Sequence, residues 1–332
     1  MLFFWQNFIE FRHCQLKVRD LATQNTNSNA IWPWVVLALT PLFFSSNIIF
    51  GRGVVSEVAP FTLAFLRWFF CAIILFPFVY KARDKTRPFV KNHKLLWLAL
   101  GFLGMWICGA IVYVALGYTT AINTALVYTT APIFTILIQF AWQGRAVKLR
   151  EIVGIIAATI GVAYIVLEGD LTALLQLDFN IGDILILFCA ISWAGYSVLQ
   201  KTDPCRDIPM LSMLGLTTLS GAILLAPFAF YEFISGAQMP VSQHAWLSIT
   251  GIVMFASLLA FTGTQHGIRH LGPQITGFSL YLLPVYGVLL AVIFLGETYQ
   301  QFHFIGTIFV LGGVILATAP IKLKKKKAAL PN

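Results

Sequence analysis

Charged side chains are scarce in this chain of 332 residues: Asp, Glu, Lys and Arg make up 11% of it, against roughly 25% in an ordinary soluble domain. With 58% hydrophobic residues and a mean hydropathy of +0.82, the chain has more apolar surface than a water-soluble fold could hide. None of the 13 acidic residues falls in the middle of a long apolar run. That absence removes the paired carboxylates of buried acid–base chemistry, and no nucleophile has a nearby base. The five cysteines (Cys14, Cys71, Cys108, Cys189 and Cys205) are scattered, odd in number and without a CxxC, so neither a disulfide nor a metal is expected. His266 and His270 stand four apart beside Arg269 but have no carboxylate near them to complete a zinc ligand set. No enzyme activity and no cofactor follow from this inventory. The formal charge of +9 comes without a basic face and reader motif, so nucleic acid is not an expected partner. Residues 1–30 are polar and mixed in charge after a brief MLFFW, with no long apolar stretch of a cleavable signal; they read as a cytosolic tail.

What the chain does have is long apolar runs. Ten of them, near 32–51, 60–80, 95–116, 121–142, 149–167, 181–200, 209–231, 245–265, 273–295 and 302–320, lie between charged or Gly/Pro-rich breaks. About 20 apolar residues cross a bilayer as a helix, so the chain reads as an all-α polytopic membrane protein with ten transmembrane helices. Counted from a cytosolic N-terminus, the inside segments hold 20 of the 22 Lys and Arg; Arg52 is outside and Arg67 is within a span. The positive-inside rule then puts both termini in the cytosol and the acidic loop 168–180 outside. Residues 321–332, with Lys322 and Lys324 to Lys327, read as a basic cytosolic tail that stops the last span or meets anionic lipid. The shortage of soluble sequence and the lack of a pore loop leave little for a scaffold or a channel.

Sliding the chain on itself by 152 residues pairs Pro132 with Pro284, Gly144 with Gly296, Gly154 with Gly306 and Gly161 with Gly313. Near the start of each half the shift is 149, which pairs Arg52 with Lys201 and Pro60 with Pro209. The chain therefore divides into five-helix halves at 31–168 and 181–320. An odd number of spans per half turns the second copy upside down, the inverted-repeat plan of secondary transporters.

Arg67, the stretch around Pro132, Ser192-Trp193-Ala194-Gly195-Tyr196, and Leu295-Gly296-Glu297 followed by Gly306 and Gly312-Gly313 resemble, in this order, the EamA-type transporters of the drug/metabolite transporter superfamily. The resemblance covers roughly 31–320. It implies a ten-helix bundle in the cell inner (plasma) membrane and a central cavity between the halves. It also implies transport, often export, of amino acids or related small metabolites by alternating access. Uptake by the same fold is the alternative; a scaffold or a membrane-embedded enzyme is the alternative of another class. One departure is Gly144-Arg145 in the first half, where many relatives carry Gly-Glu.

Candidate site residues follow from polarity at depth. Arg67 lies roughly 10 Å below the outer surface at 1.5 Å per residue; it either attracts an anionic substrate group or bonds helix carbonyls and headgroups. Asn47 and Gln265 carry amides that are costly in hydrocarbon without a partner. Tyr113, Tyr128 and Tyr281 are further polar groups expected to face the bundle interior, together with Asn123, Thr129, Thr130, Thr276, Ser279 and Tyr286. Trp193 and Tyr196 either pack or wall an aromatic cavity. Pro132 and Pro284 are expected near mid-helix as symmetry-related breaks, beside the pathway or as simple kinks. Asp183, Glu297 and His303, at outer ends of spans, are the available groups for proton coupling. The expected partners are a small-molecule substrate and the lipid bilayer; nothing in the sequence sets an oligomeric state.

Overall fold

The computed structural model describes residues 31–54, 57–115, 117–119, 124, 127–128, 130–170, 180–295 and 299–318. Both tails, Asn123, Thr129 and Glu297 lie outside the described residues. All regular structure among the described residues is helical. In chain order the helices are α1 (Trp32–Val54), α2 (Pro60–Lys81), α3 (Arg83–Asn92), α4 (Lys94–Ala115), α5 (Ala131–Gln143) and α6 (Leu149–Val166). The second half has α7 (Ile181–Leu199), α8 (Met210–Ile234), α9 (Gln243–His270), α10 (Pro273–Ser279), α11 (Leu282–Leu295) and α12 (Gln301–Thr318). Eight helices are long and apolar enough to cross a membrane, counting Pro273–Leu290 as one. Beside them stand α1, of 23 residues, and the shorter apolar α5.

Three details depart from the sequence reading. The segment 81–94, read only as a basic connection between spans, contains the short amphipathic helix α3. In the fourth apolar run, where Thr124, Val127 and Tyr128 are helical, a turn at Thr130 precedes the helix Ala131–Gln143, and the ninth run is broken at Leu280 and Tyr281 between α10 and α11. Pro132 and Pro284 therefore sit at helix starts and not in helix middles. A proline fits the first turn, where its missing N–H has no bond to make.

Contacts between chain ends define two faces. On one, lined by basic segments, Ser212 Oγ donates to Phe78 O at 2.9 Å, and Lys201 Nζ donates to the carbonyls of Ile268 (3.1 Å) and Arg269 (2.6 Å). On the opposite face, Glu232 accepts from Phe61 N (3.1 Å) and Thr62 N (2.7 Å), placing a carboxylate on the positive end of α2. There too, Ser242 caps α9 and donates to Glu57 at 2.5 Å, which is the main reason the Glu57 carboxyl is held below its usual value.

The halves cross as antiparallel mates. In α6 and α12, a Cβ on Gly154 would meet Gly313 O at 2.6 Å and one on Gly313 would meet Gly154 O at 2.5 Å. Gly161 and Gly306 approach each other's carbonyls in the same way, at 2.7 and 2.8 Å. The repeat aligns Gly154 with Gly306 and Gly161 with Gly313, so each glycine touches the mate of the other. Crossed pairing of this kind is what a two-fold axis perpendicular to the helices produces, the isologous pattern of a symmetric dimer. The helices α2 and α8 repeat it: the start of each packs on the end of the other. Small residues let these backbones approach where lipid supplies no hydrophobic drive, while Ile152, Ile156 and Ile160 cover the outer side of α6. Elsewhere α1 packs on α9 and α7 on α4, again as symmetry-related pairs.

The mates α4 and α9 share one irregularity. Each contains a π-helical segment, Phe102–Ile111 and Ile252–Leu259, each entered directly after a glycine, Gly101 and Gly251. Returning from i−5 to i−4 pairing leaves a carbonyl over, and such carbonyls seek side-chain donors.

Candidate functional site

Two adjacent residues of α2 serve both π segments. Arg67 Nε donates to Ser257 Oγ (2.5 Å) and Arg67 Nη2 donates to Ala256 O (2.9 Å), both in the α9 segment. Trp68 Nε1 donates to Met105 O (3.0 Å) in the α4 segment. Arg67 Nη1 also donates to Tyr113 OH at 3.2 Å. The guanidinium carbon lies 4.5 Å from the Trp68 ring centroid and 6.0 Å from that of Phe261.

Arg67 is only 6% exposed, and every partner named is neutral. Ion pairs join Arg145 to Glu151 and His244 to Glu57, both at helix ends. A cation held this deep is costly without polar contacts, and here the contacts are hydroxyls, a carbonyl and aromatic faces.

Below Arg67, aromatic rings from four helices meet. Phe261 lies 4.9 Å from Trp68, 5.4 Å from Phe44 and 5.5 Å from Trp193, in edge-to-face geometry. Tyr196 stands 5.7 Å from Trp193. Such pairs pack best tilted, because ring edges are positive and ring faces negative. Beyond Tyr196 comes a polar group: its hydroxyl is neighboured by Gln265, Thr217 and Gln200. Tyr196 OH, Gln200 Nε2, Gln265 Nε2 and His266 Nε2 are all buried without a hydrogen-bond partner.

Tyr113, Trp193 and Tyr196 thus join Arg67 in one core cluster, with Gln265 at its polar end and Tyr128 packed against it beside Cys108. Asn47, half-buried on α1, has its own unpartnered Oδ1, two residues after Ser45 bonds Leu283 O at 3.0 Å. The centre is packed: Tyr113, Trp193, Tyr196 and Gln265 are each no more than 5% exposed.

Tyr281 does not join them. It lies in a second apolar cluster with α6 and α12, its hydroxyl 3.2 Å from Thr159 Oγ1. The break before α11 explains this: Leu280 turns to the main core and Tyr281 to the other. Pro132 is buried against α10, within 3.7 Å of a Cβ placed on Gly277, and Pro284 opens α11 half-buried.

Two of the three groups considered for proton coupling, Asp183 and His303, have structural partners, and Glu297 lies outside the described residues. Asp183 Oδ2 accepts from Asn180 N at 2.9 Å in a capping box of α7, and Oδ1 accepts from Thr119. His303 Nδ1 accepts from Gln300 N at 3.1 Å at the start of α12. Its mate in the repeat, Glu151, accepts from Lys148 N at 3.1 Å in the same position of α6. An acceptor at the third helical position answers an orphan N–H, a demand that every helix start makes.

The sequence reading missed Trp68, Ser257, Phe261 and Phe44. Ser257 had a signal, as the one polar residue in the apolar run 252–261. Phe44 and Phe261 had none that set them apart from the other 27 phenylalanines among the 29 in the chain.

Comparison with known proteins agrees with this architecture. The chain is similar to the uncharacterized transporter YyaM of Bacillus subtilis, 24% identical over 295 residues, 88% of this chain and 95% of the relative. It is also similar to an uncharacterized transporter of Archaeoglobus fulgidus, 28% identical over 291 residues, 86% of this chain and 96% of the relative. The S-adenosylmethionine uptake transporter of Rickettsia prowazekii is 27% identical over 244 residues, 69% of this chain and 74% of that one. A solved crystal structure shares the fold, with a TM-score of 0.68 over 85% of this chain and 95% of the other, at 18% identity. The model of the EamA-like transporter family matches twice, over residues 32–167 and 180–319. The chain belongs to the EamA-like transporter family.

Proposed function

We propose that this protein exports small organic solutes bearing a negatively charged group, amino acids or related metabolites, across the cell inner (plasma) membrane by alternating access. In this reading the chain makes ten spans in two inverted repeats, 31–168 and 181–320. The basic face and both termini are cytosolic, and the solute is the only small molecule required. The observation that carries the proposal is Arg67: a buried guanidinium at the meeting point of both π segments, held by neutral groups alone. A solute carboxylate would gain charge-assisted hydrogen bonds there. The rings of Phe44, Trp68, Trp193, Tyr196 and Phe261 would receive its apolar part, and the unpartnered Gln265 and Gln200 amides its polar end.

Uptake is the second reading, favoured by the Rickettsia relative. The solute named for that relative joins an amino-acid carboxylate to a flat ring, which suits an arginine set beside aromatic faces. Liposomes containing the purified protein, assayed with a panel of amino acids and related metabolites, test the proposal. Arg67→Gln should abolish carriage of anionic solutes, and Gln265→Leu should alter transport at unchanged abundance in the membrane. Equal transport by Arg67→Gln would remove the arginine from the site.

A further inference from the structure

A second site lies on the basic face, away from the Arg67 cluster. The connection from α5 to α6 brings Arg145, Lys148 and Arg150 to a cleft of about 210 Å³. Leu271, Gly272, Pro273 and Gln274 close it from the second half, and Ala317 and Thr318 at the end of α12 complete the wall. The cleft is smaller than the ~300–1,000 Å³ of pockets for drug-sized ligands. Its lining carries three cations and one anion, Glu151. That carboxylate is already engaged, by Arg145 Nη2 at 2.7 Å and Lys148 N at 3.1 Å, with Gln274 beside it. The exposed Lys148 ammonium has no such ion pair among the described residues and leaves a positive charge facing the cleft.

Gln139 supplies the independent observation. It lines the cleft at 6% exposure, and its Oε1 is buried with no hydrogen-bond partner. A buried carbonyl oxygen without a donor loses the free energy of a hydrogen bond until a donor arrives. A ligand that fits must therefore offer negative charge to Lys148 and Arg150 and an O–H to Gln139.

We propose that this cleft binds a phosphate ester bearing a free hydroxyl, such as the phosphoglycerol headgroup of an anionic phospholipid. The phosphate faces Lys148 and Arg150, and the hydroxyl donates to Gln139 Oε1. Trp142 and Leu149, 48% and 75% exposed, flank the cationic connection with the apolar surface that a lipid's chains would cover. Because the wall comes from both halves, an occupant joins residues 139–151 to residues 271–275 and 317–318, and so favours whichever access state holds them together.

The test uses the full-length protein in detergent, followed by thermal denaturation against added phosphatidylglycerol, phosphatidylcholine or inorganic phosphate at matched ionic strength. Saturable stabilisation by phosphatidylglycerol but not phosphatidylcholine supports the headgroup as the source, and stabilisation by inorganic phosphate as well supports a soluble phosphate ester. Lys148→Gln changes an exposed side chain that the fold tolerates. It should raise the half-saturating concentration about tenfold, the loss of one charge-assisted hydrogen bond. Gln139→Leu should weaken phosphatidylglycerol binding. Equal stabilisation by phosphatidylcholine, no stabilisation by any of the three, or a response unchanged by both substitutions overturns the proposal. None of these readouts depends on transport, so they stand or fall separately from the function proposed for Arg67.

Discussion

Gly313 and Gly312 are neighbours in sequence and differ in surroundings, which gives a controlled test of how the two halves are held together. A Cβ on Gly313 would lie 2.5 Å from both Ala158 N and Gly154 O. Both are backbone atoms of a packed helix, so neither can swing aside. Ordinary contact begins at 3.4 Å, and Gly313→Ala must push α6 and α12 apart by about 0.9 Å along that direction. A Cβ on Gly312 would meet nothing within 4 Å. Overpacking of this kind costs about 1–3 kcal/mol in well-packed cores. The cost is felt fully here, because association of helices within lipid rests on close packing and not on burial from water. Alanine is also a better helix former than glycine by about 1 kcal/mol in water, so Gly312→Ala should be neutral or slightly stabilising.

The measurement is thermal denaturation of the purified protein in detergent, with folded yield from membranes as a second readout. Gly313→Ala should melt below the parent and Gly312→Ala at or above it. Gly154→Ala provides the symmetry control: its Cβ would lie 2.6 Å from Gly313 O, so its loss should resemble that of Gly313→Ala. If Gly313→Ala is as stable as Gly312→Ala, the crossed contact of α6 and α12 is not as close as described, and the argument for the axis fails with it.

Asp183→Ala removes the carboxylate that accepts from Asn180 N, and should lower stability by about 0.5–2 kcal/mol, read by the same melts. In liposomes an imposed pH gradient without a solute gradient should drive little net uptake by Asp183→Asn/Glu297→Gln/His303→Gln; strong proton-driven accumulation would place the coupling group elsewhere. Burial pushes the Cys205 thiol up to about 11, so it should resist maleimide at neutral pH from either side of the membrane until the protein unfolds. Labelling therefore reads orientation better from cysteines at exposed positions: Tyr118→Cys should react from outside and Lys91→Cys only after permeabilisation. Glu57 is held below the ordinary glutamate value of 4.5, chiefly by Ser242, so its contribution to stability is complete above that value and declines as pH falls through the lowered one. Glu57→Gln should flatten the fall in melting temperature over that acid range, and an unchanged profile would discount the Ser242 contact.

Hydrophobicity made the spans legible. Eight helices recur within a few residues of the apolar runs, because a bilayer demands about 20 apolar residues in a row and leaves little freedom in where they start. The repeat was legible at its glycines for a related reason: Gly154, Gly161, Gly306 and Gly313 lie where backbones touch, and no other residue fits. Arg67 announced itself by its cost in hydrocarbon. The π segments were not legible, since a change from i−4 to i−5 pairing leaves the composition of an apolar run unaltered. Nor was the role of Asp183 and His303, which depends on where a helix begins to within one residue. A carboxylate three positions after Asn180 is a capping partner only because Asn180 is the cap. Tyr281 was placed with the wrong cluster for the same reason, as the break beside Leu280 decides which way each of the two faces.

The framework is symmetric and its chemistry is not. Helix crossings, prolines and π segments recur in both halves, the symmetry that alternating access, as proposed above, would use by exchanging the halves' roles. The position in the second half equivalent to Arg67, at the shift of 149, is Leu216; the position in the first half equivalent to Ser257, at a shift of 150, is Ile107. The charge and the hydroxyl that receives it thus belong to one diagonal of the bundle, α2 with α9, and the other diagonal carries apolar side chains in their place. Trp68, by contrast, ties the same helix to the π segment of α4 through a neutral bond. A rearrangement that parts α2 from α9 must break two hydrogen bonds to a buried cation, at Ser257 and Ala256, whereas one that parts α2 from α4 breaks one such bond, at Tyr113, and the neutral bond at Met105. Hydrogen bonds to a charged group are worth roughly twice the neutral kind, and a guanidinium left without them in a dry interior is more costly still. Under the function proposed above, an anionic solute would lower that cost by replacing the lost partners, and opening along the α2–α9 seam would be easiest with the solute present.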